Sequence, residues 1–417
     1  MYVLFLRMSH PFAAKPSSVL TVPNGLVHSA PYQSAPGRTV NSNIKDRDIP
    51  MKKTLLATTA FALVAAHASA VDVQLYGQVN KGLFGFNDGL DTNTVVVDNA
   101  LSSTRFGLKG AQALDNGLTA SVLFENEMAS NPSDAFLQNS VNGSTGTSTV
   151  PTSGSTTFTE RQARVGLSGG FGGVYLGQQS TAIDGVITQD LAGAQDVMTA
   201  DYRKIGGAIN FRTETTNALN SGITANALTS NIGTSRADSI RYDSPIYAGF
   251  QGRASIAQGG DAELAAYYDG AMGDFRMKGA AGIRMVNSNV TTAANEVESL
   301  YGASFSVAHN SGLAGTVAYT ANSLDKKSAT ANEAEGWYAK VGYAWDAFEV
   351  AADYGTNENF RSATAAKDEL DVFGLGAQYN LGNGVSVAGL YRNMDADVTG
   401  TNTQSIDLYG VNMRVKF

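Results

Sequence analysis

The chain has 417 residues, a formal net charge of −8 and no cysteine, so neither a disulfide framework nor a thiolate metal site can form. It contains no run of 18 or more apolar residues, which excludes a helical membrane span. Its acidity argues against nucleic acid as a partner. Mean hydropathy is −0.12, and 45 glycines and 17 tyrosines accompany many valines and threonines, a balance that favours β structure.

Residues 1–50 differ in character from the rest of the chain. They hold six of the nine prolines and show no strand alternation. Met51-Lys52-Lys53 then opens a short apolar run, closed by Ala68-Ser69-Ala70. That is the order of a secretory signal: a positive start, an apolar middle and an A-x-A cleavage site. Signals act at a chain's start, so residues 1–50 read as an upstream extension, 51–70 as the signal peptide and 71–417 as the body. Loss of the leader makes the body more acidic still.

From residue 71 on, alternation predicts strands near 71–86, 99–110, 117–129, 156–169, 172–179, 237–244, 247–258, 262–271, 274–286, 296–308, 313–324, 334–345, 348–357, 369–380, 385–396 and 404–417. Sixteen is the even number that a bacterial barrel with both ends on one side requires. Short turns such as Leu114-Asp115-Asn116-Gly117 and Leu381-Gly382-Asn383-Gly384 alternate with longer polar connections, the longest at 130–155 and 180–236. This sorting of loops is the signature of an antiparallel transmembrane β-barrel. Sixteen tilted strands close at roughly 32 Å, too wide for side chains to fill.

The faces follow from the two-residue period. In the last strand Tyr409, Val411, Met413, Val415 and Phe417 point to lipid, and Asn412, Arg414 and Lys416 to the lumen. Phe106 and Leu108 face lipid while Arg105 and Lys109 face the lumen, as does Glu125. A lipid-facing Arg or Lys at mid-depth costs about 2–4 kcal/mol, so charges fix the phase.

The connection at 180–236 is far longer than a compact fold needs. It carries Asp184, Asp190 and Asp196 at sixfold spacing. Folded inward, it would narrow the lumen and set its carboxylates against wall arginines, with Arg105, Arg161 and Arg241 as candidates. The same composition suits an ordinary surface loop with solvated aspartates.

Glu160-Arg161-Gln162-Ala163-Arg164-Val165-Gly166-Leu167-Ser168-Gly169-Gly170-Phe171-Gly172, followed by Val174-Tyr175-Leu176-Gly177, resembles the strand–turn–strand before the constriction loop of general diffusion porins. Ser239-Ile240-Arg241-Tyr242-Asp243-Ser244-Pro245 resembles the strand after that loop in the neisserial and β-proteobacterial branch. Val73-Gln74-Leu75-Tyr76-Gly77, Ser103-Thr104-Arg105-Phe106-Gly107-Leu108-Lys109-Gly110 and the terminal Phe417 resemble the first two strands and the last residue of the same family. The similarity spans 71–417. It implies a trimeric sixteen-stranded outer-membrane porin whose third loop constricts a water-filled pore for small polar solutes and ions. It also implies outer-membrane lipid, lipopolysaccharide and the barrel assembly machinery as partners, and a second loop, here 130–155, that latches onto a neighbouring subunit. Arg105 and Arg161 match the family's basic cluster well, and Arg241 more loosely. The aspartates transfer only as a type. Gln178 stands where a family arginine often follows Leu-Gly, which leaves the charge preference open.

Three other classes compete. An enzyme would need an activated nucleophile, yet the body holds one histidine, His309, beside a turn, and no cysteine. No metal or other cofactor is expected, for want of ligands. A non-conducting adhesin or structural barrel would need a filled lumen. A sugar-specific channel would need a ladder of aromatics along the pore, and none is sustained in the sequence.

Overall fold

The computed structural model describes residues 71–138, 157–229, 232, 236–287, 295–361 and 367–417. The expected extension (1–50) and signal peptide (51–70) lie outside the described residues, as does most of the 130–155 loop. The described strands, in chain order, are β1 (Asp72–Asn87), β2 (Thr92–Asp98), β3 (Arg105–Ala113), β4 (Thr119–Ala129), β5 (Thr157–Gly169), β6 (Gly172–Ser180), β7 (Asn210–Arg212), β8 (Leu219–Thr224), β9 (Arg236–Asp243) and β10 (Phe250–Ala257). They continue with β11 (Ala262–Met272), β12 (Phe275–Met285), β13 (Glu296–His309), β14 (Leu313–Asp325), β15 (Glu335–Trp345), β16 (Phe348–Glu358), β17 (Asp368–Gly382), β18 (Val385–Val398), β19 (Thr401–Asn402) and β20 (Ile406–Lys416).

Sixteen of these are the staves of one closed antiparallel barrel. The other four, β2, β7, β8 and β19, are short pieces within the long connections. Closure falls on β1, whose first half pairs with β3 and whose second half pairs with β20. One strand serving two neighbours at different heights is the stagger that a tilted barrel demands. Gly77 and Phe417 exchange backbone hydrogen bonds of 3.0 Å at this seam. A Cβ on residue 77 would strike the Phe417 ring, so the seam needs glycine there.

The predicted strands are found within a few residues, with two differences. The second stave starts at Arg105, not near 99, because Asn99 caps a short 3-10 turn over Ala100–Ser102. Connections read as loop hold short strands: β2, which folds back on β1, in 87–98, β7 and β8 in 180–236, and β19 in 397–403.

The faces agree with the alternation. On β15, Trp337 and Val341 are more than half exposed on the outer face, and Lys340 is buried inside. One feature breaks the two-residue period. Opposite β4, Gln162 pairs with Glu125 and Glu160 with Asn126, so Arg161 is an extra residue in a β-bulge. The bulge shifts the phase of β5, so that Arg161 and Arg164, three apart, serve the same inner wall.

The inner wall is not polar all round. On the long-loop half of β1, β17, β18 and β20, Phe84, Phe86, Leu370, Val372, Met394, Ile406 and Leu408 point inward and are fully buried. They pack against Val197, Met198, Tyr202, Ile205, Ile209 and Phe211 from the long connection after β6. Both sides of these staves are therefore apolar, one against lipid and one against the protein's own loop.

Candidate functional site: inner wall and third loop

Four neighbouring staves assemble the first charge cluster. Glu125 on β4 is its centre. It accepts hydrogen bonds from the Tyr76 hydroxyl at 3.0 Å and Arg161 Nε at 2.8 Å, and lies 3.3 Å from Arg105 Nε. Arg161 also reaches Glu127 at 2.5 Å and Ser103 Oγ at 3.0 Å. Lys109 sits over the Tyr76 ring, 5.4 Å from its centroid. The structure thus brings Arg105, Arg161 and Glu125 together, with Lys109 one step nearer the short turns.

Arg241 belongs to a different group. Its guanidinium holds Asp243 through two bonds of 2.9 and 3.0 Å and donates to the Ser180 carbonyl at 2.5 Å. All are on or beside β6 and β9.

After β6, residues 181–209 run along the inner wall and bond to it at intervals. Ala182 N donates to Ser255, the Tyr267 hydroxyl to the carbonyls of Ala182 and Asp184, and Ser304 to the Val186 carbonyl. Leu191 N donates to Ser306, Ala194 N to Glu349 and Asp196 N to Gln378. Arg392 on β18 donates to the Tyr202 carbonyl at 2.9 Å. A backbone with almost no regular structure must find partners elsewhere, and the inward Ser, Gln and Glu side chains of the wall supply them. These residues were not singled out from the sequence. Only the register shows that they carry a strap.

The three aspartates have different places. Asp190 is buried against Lys340 at 2.7 Å, with both side chains almost wholly covered, and accepts from Thr316 at 2.7 Å. Asp196 is buried between Arg414, at 2.5 Å, and Ser386. Asp184 is partly exposed and feels Arg236, Arg161 and Arg241. Enclosure by protein pushes its carboxyl above the usual range, against the pull of those arginines and Ser180. The residue as a whole keeps partial exposure, which moderates the effect. Arg236, at the head of β9, was not singled out from sequence, because strand phase alone does not bring it near the cluster.

The connection then turns upward. The β7–β8 hairpin lies at the rim, where Arg212 pairs with Asp88 at 2.9 Å and both are buried. Gln404 donates to Asn217 at 2.6 Å across the same junction.

A closed sixteen-stave barrel with an apolar outer face, a charged inner wall and a long connection bonded along that wall defines an outer-membrane channel. The comparisons agree. Residues 57–399 match the family model of the Gram-negative porins, and the chain belongs to that family. It is 26% identical over 368 residues to a "Monosaccharide porin" of Halomonas sp., covering 83% of this chain and 80% of that protein. It is also 26% identical over 216 residues to the "Major outer membrane protein P.IB" of Neisseria gonorrhoeae, covering 50% of this chain and 48% of that one. Among solved structures, the anion-selective porin from Comamonas acidovorans superposes with a TM-score of 0.54 at 17% identity, over 84% of this chain and all of the other. OmpT of Vibrio cholerae in its trimer form gives 0.52 at 14%, over 84% of this chain and all of that one. The protein is an outer-membrane porin: a water-filled barrel for passive diffusion of small hydrophilic solutes and ions.

Proposed function

We propose that this porin is a general channel, narrowed where the segment 181–209 stands across the lumen from Arg105 and Arg161. The observation that carries the reading is Asp184. It is the loop aspartate that stays partly exposed beside the arginine cluster, while Asp190 and Asp196 fasten the loop. Opposed fixed charges set a transverse field across the opening. Water and polar solutes tolerate that field, and apolar solutes must displace oriented water. No covalent step is part of this reading. His309 ends β13 beside a turn, half-buried against Phe275 and hydrogen-bonded to Ser311.

Single-channel recording of residues 71–417 in a planar bilayer under a KCl gradient tests it. Large ohmic steps are expected. Arg105→Ala or Arg161→Ala should move the reversal potential toward cations, by roughly a twofold change in permeability ratio for a charge about 10 Å from the ion path in water. An unmoved potential in both variants would remove these arginines from the constriction, and absence of conductance would end the open-channel reading. The relative named for monosaccharides raises a sugar-specific alternative. Against it, the inward rings of Tyr76, Tyr175 and Tyr267 each carry a Lys or Arg on one face, so that face is not open to a sugar.

The homotrimer finds support on the outer face. Tyr and Trp side chains ring the staves β11–β20, among them Tyr268, Tyr301, Trp337, Tyr354, Tyr391 and Tyr409. The outer faces of β1–β6 carry none. They present Leu75, Phe106, Phe124, Phe158, Val165 and Leu176 instead. Interfacial Tyr and Trp mark lipid contact, and the absence of those two residue types suits a surface covered by protein. For lipopolysaccharide, the support is a row of outward carboxylates at the long-loop end. Glu369 lies opposite both Glu358 and Asp397, and Asp371 lies opposite Asp395. Lys367 already bridges Glu358 and Glu369, at 3.7 and 2.8 Å, so a cation shared with lipid phosphate would sit at Asp371, Asp395 and Asp397. The barrel assembly machinery is read from the family alone.

A further inference from the structure

The short-turn half of the inner wall carries a second cationic group, beyond the one that faces the loop. Tyr175 on β6 lies flat against the wall over Gly166 and Gly173, where a Cβ on either glycine would strike its ring. The guanidinium of Arg164 rests on this ring at 4.4 Å, with Arg241 at 5.2 Å. Arg164 Nε and Nη1 are buried and find no hydrogen-bond partner among the described residues. Next along the wall, Arg253 stacks on Tyr267 at 4.1 Å and shares Gln251 Oε1 between two of its nitrogens at 3.1 Å. Beyond it, Arg276 and Lys278 share a single carboxylate, Asp269, at 3.5 and 3.6 Å.

The charges do not balance. Asp243 is shared: it is bound by Arg241, lies 4.0 Å from Arg253 and acts on Arg164 only at longer range. Five cations on adjacent staves thus face two carboxylates. A guanidinium kept from water without a counter-charge is costly unless an anion visits it. Stacking on a ring limits the freedom of each guanidinium, and an oxyanion is the ligand that a guanidinium binds through two nitrogens.

We propose that Arg164 and Arg253, framed by Tyr175 and Tyr267, form a station for small dianionic oxyanions, phosphates or dicarboxylates, between the constriction and the short-turn mouth. The proposal rests on the open-channel reading. Anions that pass the constriction pause there, and the station raises their local concentration.

The test is conductance of the full barrel in potassium phosphate at pH 8, compared with KCl. Phosphate current should saturate with concentration while chloride current stays nearly linear. The double variant Arg164→Gln/Arg253→Gln should raise the half-saturating phosphate concentration roughly tenfold. Arg253→Gln alone, on a residue already part-exposed to the lumen, should raise it in part, and Arg164→Lys should keep most of the effect. Wild-type protein that conducts KCl but carries phosphate current without saturation would overturn the station and leave the channel standing. So would a double variant whose saturation matches the wild type. No KCl conductance at all would instead sink the channel reading.

Discussion

At the scale of single residues, the proposed constriction makes Asp184 the group expected to set the pore's response to acid. Burial raises its carboxyl above the ordinary range, so it takes up a proton earlier than a free aspartate as pH falls. The charge lost is negative, and Arg105, Arg161 and Arg236 remain. Reversal potentials measured from neutral pH downward should therefore drift toward anions before bulk carboxylates titrate. In Asp184→Asn that early drift should vanish, and the neutral-pH value should already lie on the anion side. An identical pH course in variant and wild type would show that Asp184 does not face the ion path. Arg161 and Arg164 teach a second lesson at this scale. Strict alternation puts them on opposite faces, and one extra residue in β5 puts them on the same one. A bulge leaves no clear mark in composition. It shows only when partner strands are aligned.

At the scale of elements, the strap from 181 to 209 depends on buried ion pairs. Asp190 and Lys340 are almost wholly covered, so removing one leaves an unpaired buried charge at a cost of about 3–5 kcal/mol. Lys340→Met should loosen the strap while β-sheet content is unchanged, seen as protease cuts within 181–235 and noisier open-channel current. Asp190→Ala/Lys340→Met should recover much of the resistance to protease. Equal resistance in Lys340→Met and wild type would mean the pair does not hold the strap. The sequence showed that a long connection existed here and offered its aspartates as candidates, beside the reading of an ordinary surface loop. It did not divide them, because a pin and a pore-lining charge are the same residue type. What separates Asp190 from Asp184 is the facing wall: a buried lysine on β15 for one, the arginine group of Arg236, Arg161 and Arg241 for the other.

At the scale of the whole molecule, the staves were legible because lipid outside and polar groups inside impose a two-residue period. The period weakens where a loop covers the wall. Leu370 and Val372, or Ile406 and Leu408, sit in inward phase and look like errors of alternation until Val197, Met198 and Ile205 are found against them. The outer surface yields a prediction of its own. If β1–β6 face a second copy, Phe106→Ser/Phe158→Ser, which breaks a ring pair 5.9 Å apart, should lower the temperature at which the native oligomer dissociates on an unheated-sample gel. Phe373→Ser, on the tyrosine-ringed side, should leave that temperature nearly unchanged. Equal effects would place the subunit contact elsewhere.

The dry core under the strap has a consequence for flow. In hydraulic terms the barrel is the pipe, and the strap with its apolar backing is an orifice plate set to one side of the bore. On the proposed reading, resistance gathers in the short slot left between the strap and the wall that carries Arg105 and Arg161, and the wide remainder adds little. Flux can then be rescaled by exchanging residues on the strap's free edge. The plate stays fastened through the far wall, so throughput and mechanical strength rest on separate sets of residues.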